Sequence, residues 1–470
     1  MKTTRVLVAL TSTALLGIAP LRAQQGDAAD TASSSATSSM ADSTASEKGK
    51  KAAEPKEEAV NNAPPIVNQH FRPVDQRGLN MFEAPKEDTV PYTGFKLGWG
   101  ASFTQQFQDL HHSNSAVPRM ADTVNLNQLV GLGAGFNNAV ANLYLNAQMA
   151  KGIRIAVTTY MSSRHHDETW VKDGYLLVDA LPFNNDMLDL IMHFVTVKAG
   201  HFEVNYGDQH FRRSDNGNTI YNPFVGNLIM DAFTTEIGGE VYLRSGGVLM
   251  MGGVTGGEVH GQVTAPEKRS PSFIGKLGYD RQVNPDVRVR LTGSAYYTKK
   301  SVNNTLYSGD RAGSRYYSVM ENTQSSETSQ AWSGSIQPGF RSNVRALVLN
   351  PFVKIHGLEL FGNIETARGA AANEPSNRTW NQYAGDVVYR FLPREQMYVG
   401  ARYNTASGRL AGMDDKVNAK RFQIAGGWFI MPGVLTKVEY VRQTYGGFPT
   451  SDIRRGGKFD GVMVEGAVGF

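Results

Sequence analysis

The chain of 470 residues has no cysteine. That excludes disulfide frameworks and thiolate-bound metal or redox centres, and it is compatible with export. Beyond the N-terminal stretch there is no apolar run of the ~18 residues that a spanning helix requires. Charge is sparse as well: 19% of residues are charged, below the quarter or so usual in a soluble domain, and the net charge of +4 gives no basis for a nucleic-acid partner. Glycine (49 residues) and aromatic side chains (10%) are abundant. With a mean hydropathy of -0.33, this composition suits many strands joined by tight turns rather than a bundle of membrane helices.

The N-terminus combines Lys2 and Arg5, an apolar run from Val6 to Ile18, and the small Ala23 after Leu21-Arg22. This pattern predicts an export signal, residues 1–23, cleaved on secretion. Residues 24–65 are Ala, Ser, Thr and Asp, then Lys and Glu, closing on Pro64-Pro65. They hold too little apolar surface to offset the entropy of ordering, so a disordered linker is expected.

From Gly94 to the end the pattern has period two. Phe95, Leu97, Trp99, Ala101, Phe103 and Phe107 share one face of an extended strand, with Lys96, Gly98, Ser102 and Thr104 on the other. The same alternation recurs at 138–149, 152–162, 287–298, 396–405 and, with Val462, Val464, Val468 and Phe470 opposite Met463, Glu465 and Ala467, at 459–470. Repeated over segments of about ten residues, it predicts membrane strands with lipid on one side and water on the other. Marking every such segment gives about 16 strands, with 14 and 18 as the neighbouring counts. Tight turns such as Lys151-Gly152, His356-Gly357 and Met431-Pro432-Gly433 alternate with long polar loops at 108–137, 201–235 and 299–344. Short turns on one rim and long loops on the other define an all-β fold: a transmembrane antiparallel up-and-down β-barrel over 94–470. Trp99, Phe107, Tyr297, Tyr389, Tyr403, Trp428, Phe429 and Tyr440 are expected in aromatic girdles. Residues 66–93 read either as a periplasmic segment or as a plug inside the barrel.

The third long loop carries Ile220, Tyr221, Phe224, Val225, Leu228, Ile229 and Phe233, more apolar surface than a solvated loop needs, so it is expected to fold against something. The run KAGHFEVNYGDQHFRRSDNGNTIYNPF, with AGGWFIMPGVLTKVEYVRQTY and the terminal Phe470, resembles bacterial outer-membrane porins of the phosphate-selective and general type. The resemblance covers about Gly94 to Phe470. It implies outer-membrane lipid around the barrel, a homotrimer, passive diffusion of small hydrophilic solutes or ions, and a third loop folded inward as the pore constriction.

Within that constriction Lys198, His201, Asp208, His210, Arg212, Arg213 and Asp215 are the candidate solute contacts, because arginine offers a fixed, permanently charged fork to anions. The competing expectation is that Arg212 and Arg213 pair with Asp208 and Asp215 and only brace the loop. Lys96, Arg154, Lys276, Arg288, Arg290, Lys354, Arg390, Arg402, Arg421 and Lys437 fall on the predicted lumen face, partly offset by Glu359, Glu365, Asp386, Glu439 and Glu465; the cationic excess predicts an anion bias. No catalytic residue, metal or cofactor is expected. His165-His166-Asp167-Glu168 and His111-His112 lack a partner motif for a metal, and Gly131-Leu132-Gly133-Ala134-Gly135 lacks the βαβ context of a nucleotide loop. The alternatives are a barrel enzyme of lipase or protease type, and a structural or adhesive barrel with a plugged lumen.

Overall fold

Leu97, Trp99 and Phe103 are exposed on the first long strand, while Ser102, Thr104 and Gln106 are buried on its other side. This inside-out arrangement, polar residues within and apolar residues facing out, holds around the whole sheet. It requires an apolar surround, and in hydrocarbon only a closed sheet pairs every strand N–H and C=O. The computed structural model describes residues 71–83, 92–163, 169–256, 269–308, 316–326 and 334–470. The expected signal peptide and linker (1–65), and His165 to Glu168, lie outside the described residues.

Sixteen antiparallel strands close the barrel. The first eight are β1 Lys96–Ser113, β2 Val140–Ala150, β3 Ile153–Ser162, β4 Thr169–Val178, β5 Val195–Glu203, β6 Thr235–Ser245, β7 Val248–Thr255 and β8 Ser272–Asn284. The rest are β9 Val287–Thr298, β10 Asn343–Ile355, β11 Leu358–Ala370, β12 Arg378–Phe391, β13 Met397–Gly408, β14 Val417–Met431, β15 Val434–Gly446 and β16 Lys458–Gly469. Each strand pairs with its sequence neighbours, and β1 joins β16 from Ser102 opposite Gly469 to Ser113 opposite Lys458. The terminal residue extends the seam: Phe470 N–H donates to Ala101 O at 3.0 Å and Ala101 N–H donates back at 3.1 Å. Its ring meets Trp99 edge-on at 5.9 Å. Short turns occupy one rim, as at Gly152, whose φ of +69° and close approach to Ala180 O leave no room for a Cβ.

Two local expectations change. Ahead of β5, where the apolar run Met187 to Ile191 reads equally as the start of a strand, the chain forms a helix, α1 Asp186–Met192, because the Asn185 side chain accepts from Leu188 N–H and Asp186 and Asp189 lie in its first turn. Phe429 faces inward, 1% exposed, and packs in a cluster with Phe224, Tyr398 and Leu435, whereas Trp428 beside it is half exposed on the outer face. Trp99, Tyr389, Trp428 and Phe470 do gather on the outside near the short-turn rim.

If the outer face sits in hydrocarbon, Leu347→Arg, an outward position in β10, is expected to cost about 2–4 kcal/mol. Urea unfolding in lipid vesicles measures it, and Arg281→Leu at the rim should leave the midpoint nearly unchanged.

Candidate functional site

Residues 204–234 leave the long-loop end of β5 and fold into the barrel, where most of them are buried. An irregular segment taken out of water must still satisfy each N–H and C=O, at about 1–3 kcal/mol for each failure. The inward side chains of the wall do this. Gln382 of β12 accepts from Met230 N–H at 2.7 Å and donates to Met230 O at 2.8 Å, as a neighbouring strand would. Asn404 of β13 accepts from Ile229 N–H, and Glu439 of β15 from Val225 N–H, at 2.6 and 2.7 Å. Lys437 donates to the carbonyls of Thr219, Asn222 and Phe224, Arg402 to that of Gly226, and Arg421 to that of Asn227. On the strands flanking this wall, Asn142 of β2 accepts from Gly217 N–H and Asn350 of β10 from Asp208 N–H.

Charges inside are matched as closely. Asp208 takes Arg290 at 2.8 Å, Lys276 at 2.8 Å and the Thr292 hydroxyl at 2.7 Å. Burial alone would raise its carboxyl, but Lys276 and Arg290 hold it below its ordinary value. Arg213 pairs with Asp231 and reaches Asp215 at 3.4 Å; burial would lower the guanidinium, and the two carboxylates hold it above its ordinary value. Arg212 lies 3.4 Å from Glu359 and bonds Asn80. Asp215 is gripped by Tyr160 and Lys172, and His210 sits between Asn205 and Glu203 at 3.0 and 3.4 Å. Burial lowers the His210 imidazole despite Glu203.

The remaining cations follow the pattern. Arg390 pairs with Glu359, Arg402 with Asp386, Lys437 with Glu465, Arg154 with Asp179, Arg288 with Asp280, and Lys354 with Glu395 at the short-turn rim. Arg421 is held by neutral acceptors, Gln443 and the carbonyls of Asn227 and Gly334. Lys96 lies on the inward register of β1, partly exposed. Lys198 faces inward 3.6 Å from Glu240, whereas His201 is in register with the outward-facing Ile237. His112 receives Met320 N–H on Nδ1 and meets Val130 O at 2.7 Å through Nε2.

Two further segments enter the interior. From the long-loop side, Leu306, Tyr307, Tyr316, Val319, Met320, Ile336 and Phe340 are buried, and the Tyr307 and Tyr316 hydroxyls donate to Glu365 and Glu439. The loop that reads as long and polar at 299–344 thus contributes apolar side chains of its described residues to the inner core. From the short-turn side, residues 71–83 cross the mouth. Gln76 N–H bonds Pro432 O, Arg288 donates to Asn80 O at 2.8 Å, Asn80 donates to Glu359 at 2.6 Å, and Glu83 meets Arg290 and Lys276 at 2.8 and 3.1 Å. Phe82 is wedged against Phe211 and Phe352.

The filling is uneven. Against β12–β16 the inward polar side chains are 0–6% exposed. Along β4–β6 a cavity of about 180 Å³ persists between the wall (Tyr175, Lys198, Tyr242), the loop (His210, Phe211) and the crossing segment (Arg72, Phe82). Sequence reasoning missed Arg72, Asn80, Glu83, Lys172 and Asp231. The only signal for Asp231 was its charge within an otherwise apolar stretch, Leu228 to Phe233.

Removing one partner of a buried pair leaves the other charge uncompensated, so Arg213→Ala is expected to destabilise the barrel by about 3–5 kcal/mol, and Arg213→Met with Asp231→Leu by clearly less. Chemical unfolding of the three proteins decides. Asp208, with its folded value depressed, contributes stability that is complete above 3.8, its ordinary value, and lost as the pH falls through the folded value. Urea midpoints followed down in pH should therefore fall more steeply in acid for the native chain than for Asp208→Asn.

No family model matches the chain, and no curated protein matches it in sequence. Among solved structures it is similar to a loop L8 deletion mutant of OmpT, an outer membrane protein of Vibrio cholerae, with a TM-score of 0.49 and 8% identity over 80% of this chain and 100% of that one. An anion-selective porin from Comamonas acidovorans gives a TM-score of 0.48 at 10% identity, over 80% and 100% of the two chains. OprB of Pseudomonas putida gives 0.47 at 11%, over 80% and 94%. At such identities and TM-scores the functional reading rests on the interior itself.

Proposed function

We propose that the chain is an outer-membrane porin that passes small hydrophilic solutes by diffusion, along a path between the inward loop and the β4–β6 wall. The observation that carries this is the cavity on that side, in a barrel whose opposite half is packed to near-zero exposure. Loop 204–234 is the constriction in this reading, and residues 71–83 are a plug across the short-turn mouth. Selectivity is exclusion by width plus electrostatic bias; the interior is asked to do no chemistry. The anion bias expected from Arg212 and Arg213 moves to Arg72 and Lys198, since the two loop arginines face carboxylates, Arg72 donates only to carbonyls, and Lys198, though 3.6 Å from Glu240, lines the cavity. Export by a cleaved signal at 1–23, a linker at 24–65 and assembly as a homotrimer complete the reading. The same plug favours a second one, a structural barrel with a permanently closed lumen.

Conductance separates the two. The full chain in a planar bilayer should give small, infrequent steps. Glu83→Gln with Asn80→Gly, which removes the plug's grip while Gly keeps the left-handed φ of 55° at position 80, should raise conductance several-fold. Under a salt gradient the reversal potential should indicate anions, and Lys198→Gln should move it toward zero. Silence from both well-folded proteins would leave the plugged barrel.

A further inference from the structure

The cavity beside β4–β6 has a lopsided charge balance. Its carboxylates are engaged by cations: Glu83 by Arg290 and Lys276, Glu203 by Lys172 at 2.9 Å and Asp179 by Arg154 at 2.7 Å. One of its cations, Arg72, donates only to neutral groups, and a second, Lys198, is loosely paired with Glu240 at 3.6 Å. Arg72 donates through Nε to Gly78 O and through Nη1 to Phe211 O, both at 2.8 Å, and stacks 3.3 Å from the Tyr221 ring centre. Its Nη2 is buried with no hydrogen-bond partner. Lys198 lies 3.4 Å from Glu203 O and 3.6 Å from Glu240, with its ammonium 4.2 Å above Phe202 and 4.7 Å above Tyr175.

An unpaired guanidinium nitrogen inside protein is costly, and an anion is the group that relieves it best. The walls around these donors are aromatic: Phe82, Tyr175, Phe211 and Tyr242. The space is about 180 Å³. That is too small for a sugar chain or a peptide and large enough for one compact organic acid.

We infer that this cavity is a binding site for a small monocarboxylate with a flat, apolar body. Its carboxylate would be received by Arg72 Nη2 and the Lys198 ammonium, and its body held between Phe82, Tyr175 and Phe211. This deepens the porin reading by placing a solute station on the proposed path. The site is built jointly by the barrel wall and the crossing segment, so a solute that binds there also bears on how firmly that segment stays in place.

Equilibrium binding to the refolded full chain in detergent tests the site without any requirement for conduction. The probes are benzoate, its neutral isostere benzamide, and benzylammonium, titrated by calorimetry at neutral pH. Benzoate should bind saturably, with benzamide about ten-fold weaker or worse and benzylammonium not detected. Lys198→Met and Arg72→Met should each weaken benzoate about ten-fold, Lys198→Arg should largely retain it, and the exposed Arg281→Gln should leave it unchanged. Equal affinity for benzamide, indifference to Lys198→Met, or no saturable binding to folded protein would overturn the site. Conductance without benzoate binding would sink the site and spare the pore. Binding without conductance would sink the pore and leave the site standing.

Discussion

The structure depends on one constraint: an irregular chain of some thirty residues lies inside a barrel, and its backbone must be paired without a sheet to pair it. Gln382, Asn404, Lys437 and Glu439 meet that demand by acting as side-chain substitutes for a neighbouring strand. The inward residues of β12–β15 are therefore long and polar because the loop needs donors and acceptors at fixed heights. A barrel filled only with water would make no such demand, since water accepts any arrangement.

The same constraint explains why most of the charge inside cancels in close pairs. Each carboxylate or cation taken from water costs several kcal/mol, and only a close partner with good geometry offsets this. Arg390 and Arg212 therefore converge on Glu359, and Arg290 and Lys276 on Asp208. An inward cation is thus a poor guide to ion selectivity unless its partner is known. The competing expectation, that the loop arginines brace rather than filter, is the one these contacts resemble, although the partners are Asp231 and Glu359 as well as Asp215.

How much was legible follows from the range of each interaction. Alternation is local, so Leu97 and Trp99 against Ser102 and Thr104 disclose a membrane strand within ten residues, and the strand order of an up-and-down barrel then follows from the chain. Helix α1 was hidden because Met187, Leu188, Leu190 and Ile191 fit a strand or a helix equally, and the deciding cap, Asn185, lies outside the apolar run. Phe429 and Trp428 are adjacent, and only the register against β15 says which one faces out. Partner choice is the least local of all: Arg212 and Glu359 are 147 residues apart, and nothing near either names the other.

The position of the cavity follows from where polar side chains are scarce. β12–β15 offer amides, carboxylates and long cations at successive inward positions, and the loop is drawn against them. Along β4–β6 Lys198 and Glu240 face inward, but beside them stand Leu177, with no polar side-chain atom, and Tyr175, Thr196 and Tyr242, whose short or ring-bound polar atoms give a backbone little to bind. The loop's anchorage there is sparser, resting on the Lys172 cluster with Asp215 and Glu203 and on Asn205, whose N–H donates to Glu240 at 2.9 Å. A filler held tightly to one wall must stand away from the other. The gap, and any solute path through it, is therefore a consequence of the asymmetric polarity of the wall, and filling it by substitution on the β12–β15 side would require moving the loop.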